Sequence, residues 1–192
     1  MKNVLRITFA LAVSITLSTI GVFQPLYSFA QDPSAVRDGQ HDFDFSAGKW
    51  KTHISQLIHP LSHSNDWIKL EGEVTTRSIG GGKGLLEEIE VINPSGRFNG
   101  ITLFLYNPKA GQWSQTFTNL SSGVPEIPKF GEFKDGVAEL YSTQTFNGRA
   151  VLVRGKWSNI TANTHTYEEA FSEDGGKTWE TNFIANEERI SQ

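Results

Sequence analysis

The chain has 192 residues, a formal charge of −4 and no cysteine, which excludes disulfide staples, thiolate metal sites and a lipid-modified N-terminal cysteine. Without Lys2 and Arg6, 15 basic residues face 21 acidic ones, a formal charge of −6. No basic run or stripe is left to hold nucleic acid or an anionic membrane.

Residues 1–30 read as a signal peptide. Lys2 and Arg6 form a positive start, residues 7–23 are largely apolar and uncharged, and Ser28-Phe29-Ala30 supplies the small residues of a cleavage site. An uncleaved anchor is the alternative, but the apolar run holds Thr8, Ser14, Thr16, Ser18 and Thr19 and is short for a membrane span. Export is therefore expected, with Gln31 as the mature N-terminus and no integral membrane segment after cleavage. Residues 31–40 are a polar linker. Residues 41–192 have the length of one domain, able to build a core without disulfides.

From there almost everything reads as strand and turn, with residues 43–49 the one weak helical candidate. Along residues 67–77, Ile68, Leu70, Gly72, Val74 and Thr76 fall on one face, and Lys69, Glu71, Glu73, Thr75 and Arg77 on the other. Gly80-Gly81-Gly82-Lys83-Gly84 breaks that strand. Residues 85–92 resume with Leu85, Ile89 and Val91 opposite Glu88 and Glu90, up to the turn Asn93-Pro94-Ser95-Gly96. Residues 98–106 are apolar on both faces. Asn107-Pro108-Lys109-Ala110-Gly111 then turns into residues 112–119, where Trp113 and Phe117 share a side.

Residues 120–130 contain Pro125 and Pro128 and cannot form a central strand. They are either a connection across one end of the fold or a lid over a cavity. Lys134-Asp135-Gly136 and Asn147-Gly148 are hairpin turns around residues 137–146. Residues 150–157 then place Val151, Val153, Gly155 and Trp157 on one face. Ser172-Glu173-Asp174-Gly175-Gly176-Lys177-Thr178-Trp179 is the last hairpin turn, between residues 165–171 and 180–185. Short hairpins without a long crossover predict an all-β, antiparallel up-and-down β-barrel of about eight to ten strands, with a two-sheet sandwich as the alternative.

Two resemblances bear on function. The Ser172–Trp179 turn resembles the Asp-box of sialidases, but those propellers repeat it once per blade, and one copy in a chain of this length predicts a hairpin, not a glycosidase. Asp42-Phe43-Asp44-Phe45-Ser46-Ala47-Gly48-Lys49-Trp50 resembles the opening of a group of exported bacterial proteins catalogued as domains of unknown function. Glu132-Phe133-Lys134-Asp135-Gly136, Phe146-Asn147-Gly148-Arg149-Ala150-Val151-Leu152-Val153-Arg154, Ser158-Asn159-Ile160-Thr161 and the Asp-Gly-Gly-Lys-Thr-Trp turn are similar to its later blocks. The resemblance implies a lipocalin-like (calycin) barrel, periplasmic or extracellular, with Gly48 and Trp50 closing its bottom. It implies no activity, catalytic residue or cofactor.

The chemistry-bearing residues are few. His59-Pro60-Leu61-Ser62-His63 reads as a turn, and without cysteine a zinc site lacks ligands, so no metal is expected. His53 alternates with Lys51 and Ser55, and its face is left open. His165, Tyr167, Glu169 and Phe171 share one strand face, which is either an outward polar face, the lining of a pocket, or a place for haem or acid–base chemistry at His165. Aromatics are mostly core, but a barrel of this size keeps room for a small ligand. The expectation is a non-enzymatic binder of a small apolar or amphipathic molecule, lined by Trp50, His53, Phe104, Trp113, Tyr141, Trp157, His165 and Tyr167. The alternatives are an isomerase- or lyase-type enzyme on a lipid-like or phenolic substrate, acting through His53, Tyr167 or Glu169, and a structural envelope protein with a filled core.

Overall fold

The computed structural model describes residues 37–93 and 96–192. The leader, most of the linker, and Pro94 and Ser95 of the predicted Asn93–Gly96 turn lie outside these residues. A single 3-10 turn (Asp44–Ser46) precedes β1 (Gly48–Leu57), β2 (Trp67–Ile79), β3 (Gly84–Asn93), β4 (Gly96–Asn107) and β5 (Gln112–Asn119). There follow β6 (Val124–Pro125), β7 (Lys129–Lys134), β8 (Val137–Phe146), β9 (Arg149–Ser158), β10 (Thr164–Ser172) and β11 (Glu180–Ser191).

The strands pair antiparallel in the order β4-β3-β2-β1-β11-β10-β9-β8-β7-β5, and β4 also pairs β5, so ten strands close into a barrel with no free edge. The turn chemistry explains the meander. Asp135 and Asn147, each followed by a glycine, hold the left-handed backbone that two-residue hairpins require. In the Ser172–Trp179 turn Gly175 and Gly176 take the left-handed backbone, and Asp174 braces the turn with its side chain. Its carboxylate accepts from the Lys177 and Thr178 amides at 3.0 and 2.9 Å and from the Thr178 hydroxyl at 2.7 Å. These bonds, led by that from the Thr178 amide, pull the carboxyl down to about 2.

The proline-containing segment is the irregular part of the wall. β6 touches only the end of β5, at Thr118↔Pro125 and Asn119↔Val124, and β7 pairs β5 over three residues, Lys129 to Gly131. Strand structure thus resumes at Lys129, inside the stretch expected to be loop. The segment lies at the end of the barrel where β1 finishes and β4 begins, which we call the mouth.

The other end is a packed floor. Phe43, carried by the 3-10 turn, is fully buried and lies within 5.2 Å, ring to ring, of Phe104, Trp113, Phe133 and Trp157. Trp50 is also fully buried, and its indole donates to the Ser46 carbonyl at 2.7 Å. The Arg189 guanidinium lies 3.9 Å over the Trp50 ring. It donates to the carbonyls of Phe45, Ala47 and Ala162 at 2.6, 2.7 and 2.6 Å. One side chain of β11 therefore ties together the entering chain, β1 and the β9–β10 turn. Among the described residues no helix is long and apolar enough to cross a membrane.

Arg189→Ala removes the ring contact and leaves three carbonyls without their charged donor, a loss of about 2–4 kcal/mol. Thermal unfolding of the variant should fall by about 5–15 °C for a domain of this size, and an unchanged midpoint would show that the floor does not depend on this contact.

Candidate ligand-binding site

Above the floor the barrel is not filled. A cavity of about 420 Å³ lies within it, because ten strands enclose a wider interior than their inward side chains occupy. Its apolar wall comes from Ile54 on β1, Leu70 and Val74 on β2, Ile89 and Val91 on β3, Phe98 on β4, Phe117 on β5, and Phe183 and Ala185 on β11. Behind the Tyr167 ring lies Gly155 on β9, where a Cβ would come within 3.1 Å of the ring and press it from its place.

Two polar groups face this apolar wall. The first sits one interior layer above the floor. Glu187 pairs in register with Thr52 on β1 and His165 on β10, and Glu87 with Thr76 on β2 and Thr102 on β4. Burial pushes the Glu187 carboxyl up to about 8, with the Thr52 hydroxyl opposing this and the Glu87 charge adding to it. Burial likewise pushes Glu87 up to about 7, offset by Thr102 and Thr76. Neither the Thr52 nor the Thr76 hydroxyl reaches hydrogen-bond geometry, and Glu187 Oε2 has no hydrogen-bond partner among the described residues. His165 packs edge-on against Trp50 at 4.5 Å and Phe45 at 5.2 Å. Burial, with help from Arg189, lowers its pKa to about 4, so it is neutral at physiological pH.

The second group lies between β7 and β10. The buried Lys129 ammonium is 2.9 Å from Glu169, and the Tyr167 hydroxyl donates to the same carboxylate at 3.3 Å. Burial alone would lower the ammonium, but the Glu169 and Glu126 carboxylates around it raise it, so it stays charged. Burial raises the Tyr167 phenol, which stays neutral and a donor. Glu126 brings the proline-containing segment to the rim of the cavity.

Of the residues singled out in the sequence, the structure brings Trp157, His165 and Tyr167 together on the cavity, with the Trp157 and Tyr167 rings 4.5 Å apart. Trp50, Phe104 and Trp113 are buried in or beside the floor and do not line the cavity. His53 and Tyr141 point outward. His53 shares a 2.7 Å contact with Glu71 on the outer face of β2, and Tyr141 donates to Glu139, its ring tilted against that of Trp179 at 6.0 Å. His59 and His63 are exposed on the β1–β2 connection. Glu87, Glu187, Thr52, Gln115 and Lys129 were not foreseen. Each of the first four keeps step with apolar inward neighbours, which is the signal that could have found it.

No family model and no curated protein matches the chain. Among solved structures, the S-type phycobiliprotein lyase CPES from Guillardia theta is similar, with a TM-score of 0.56 and 13% identity over 81% of this chain and 94% of that one. A redesigned β-barrel aligns over 81% of this chain and 98% of its own, at 10% identity and a TM-score of 0.43. The first likeness shows a shared barrel fold.

Because Glu187 has its folded pKa raised from the ordinary 4.5 to about 8, its ionisation opposes folding above pH 4.5, and the effect is complete above about pH 8. Glu187→Gln should therefore raise the melting temperature of the empty protein at about pH 8.5 and change it little at about pH 5. Equal shifts at both pH values would contradict the assignment; the His165 titration is common to both proteins and cancels.

Proposed function

We propose that this protein binds one small amphipathic molecule inside the barrel and is exported to do so. The observation that carries the reading is the cavity itself, about 420 Å³ with an apolar wall rising from a polar base. That volume suits an ordinary small-molecule ligand, and it weighs against a structural protein with a filled core. The mouth supports the same reading. Leu120, Val124, Ile127 and Phe130 of the proline-containing segment are all more than half exposed, a greasy rim of the kind an apolar ligand crosses on entry. The ligand would lie against Trp157, Tyr167 and Phe183, with His165 at the base. The barrel of the phycobiliprotein lyase shares the architecture at 13% identity and lends the reading its fold alone.

A second reading, an isomerase- or lyase-type enzyme in the same cavity, is favoured by one observation. Glu87 and Glu187 titrate at about 7 and about 8, where a carboxyl can both give and take a proton. Tyr167 and Glu169 remain available to it, and His53, on the outer face, does not. Export, with family membership among exported proteins of unknown function, rests on the leader composition and on the motifs at residues 42–50 and 172–179. It predicts a mature chain beginning at Gln31 when the protein is recovered from its host. N-terminal sequencing that finds Met1 retained would remove export from the account.

The binding test uses N-phenyl-1-naphthylamine, a neutral dye that brightens in apolar surroundings. The wild-type protein should bind it, and Ala185→Phe, which puts a ring into the cavity beside Ile54 and Tyr167, should weaken binding about tenfold or more while keeping the β-rich circular dichroism. No brightening with the wild type, or equal brightening with both proteins, would contradict the proposal.

A further inference from the structure

The ligand's polar end can be inferred from what the cavity leaves unsatisfied. Among the described residues, four cavity-lining side chains that are at least nine-tenths buried carry a polar atom with no hydrogen-bond partner: Thr52 Oγ1, Gln115 Oε1, His165 Nδ1 and Glu187 Oε2. Buried polar atoms are almost always paired, so four orphans around one cavity mark groups that a bound molecule completes. Glu187 when ionised and the Gln115 carbonyl oxygen only accept hydrogen bonds, a neutral histidine nitrogen can accept, and a hydroxyl does either. Such a site is built for donors.

The charges point the same way. Four carboxyls face the cavity, Glu87, Glu126, Glu169 and Glu187, against one ammonium, Lys129, among the described lining residues. Lys129 is already held by Glu169 at 2.9 Å. Arg189, the other cation nearby, is spent on the floor, stacked on Trp50 and donating to three carbonyls. A ligand with a carboxylate or phosphate would find no free cation and two facing carboxyls. A ligand with an ammonium would find acceptors and countercharge.

We propose that the cavity binds an amphipathic amine, its protonated nitrogen placed between Glu187 and Glu87 above the floor and its apolar body lying toward Phe98, Phe117 and Phe183. The inference rests on the ligand-binding reading above. Ionised Glu187 and Glu87 each give the ammonium a charge-assisted acceptor, and the Thr52 hydroxyl, in register with Glu187, can take a further N–H. Binding is then linked to proton release. The groups facing the pair are His165, neutral throughout, Thr52, Thr76 and Thr102; Lys129, Glu169, Tyr167 and Glu126 line the same cavity nearer the mouth. Burial holds Glu87 and Glu187 partly protonated near neutrality, so amine affinity should rise as pH goes from about 6 to about 9.

The test compares n-decylamine, n-decanol and n-decanoate, one chain length with three head groups, by calorimetry on the full mature protein. The amine should bind about tenfold more tightly than the alcohol, the acid weakest, and the amine's advantage should grow with pH. Glu187→Gln, isosteric and relieved of a buried charge, should lower the amine-to-alcohol affinity ratio about tenfold. Decanoate binding as well as the amine, or an amine-to-alcohol ratio untouched by Glu187→Gln, would overturn the inference and leave a binder of neutral ligands standing. Failure of all three ligands to bind would overturn the ligand-binding reading, and this inference with it.

Discussion

The contact on which the structure turns is Arg189 over Trp50. A ten-stranded meander can close only if its first and last strands meet, and here β1 and β11 meet along Trp50↔Arg189 and the pairs that follow. The guanidinium fixes that seam from inside. By taking the carbonyls of Phe45 and Ala47 it also pulls the incoming chain across the barrel's end, which seats Phe43 among Phe104, Trp113, Phe133 and Trp157. The floor is thus one aromatic plug held by one cation. The plug closes one end, and the wide ten-stranded interior above it stays unfilled.

That space is lined in a way packing alone does not explain. Ionisable groups in a barrel interior oppose folding unless paired. Lys129 and Glu169 are paired; Glu87 and Glu187 are not, and their carboxyls are pushed to about 7 and about 8 as a result. The His165 ring beside them is held neutral between Trp50 and Phe45. Leucine or valine at these positions would stabilise the empty barrel. On the ligand-binding proposal the retained polarity is held for a bound partner, since active and binding sites are where such strain persists.

Much of the fold was legible because its turns are written in residues that tolerate unusual backbone, such as Asn147-Gly148 and Asp174-Gly175-Gly176, and because alternation along residues 67–77 and 150–157 fixes one face. The candidate site was harder for two reasons. Alternation reports inside or outside but not height: Phe104 and Trp113 point inward as Trp157 does, yet register across the sheet sets them in or beside the floor, out of reach of the cavity. Charge also misleads. Glu87 keeps step with Leu85, Ile89 and Val91 and was inward by period alone, but a glutamate in an otherwise alternating strand reads as solvent-facing until its neighbours are known. His165 and Tyr167 had two open faces in the sequence, and only pairing with Trp157 and Glu187 decides them. Tyr141, by contrast, alternates with the inward Ala138 and Leu140, so its outward place was readable.

If the binding proposal holds, the space above the Trp50–Arg189 floor is occupied in life. Native mass spectrometry of the protein purified from its own source, under conditions that keep the barrel closed, tests this most directly. A stoichiometric adduct of one small molecule carrying a basic nitrogen, released when the barrel is unfolded, is expected. Repeated recovery of the bare polypeptide, or of an adduct that is acidic, would contradict it.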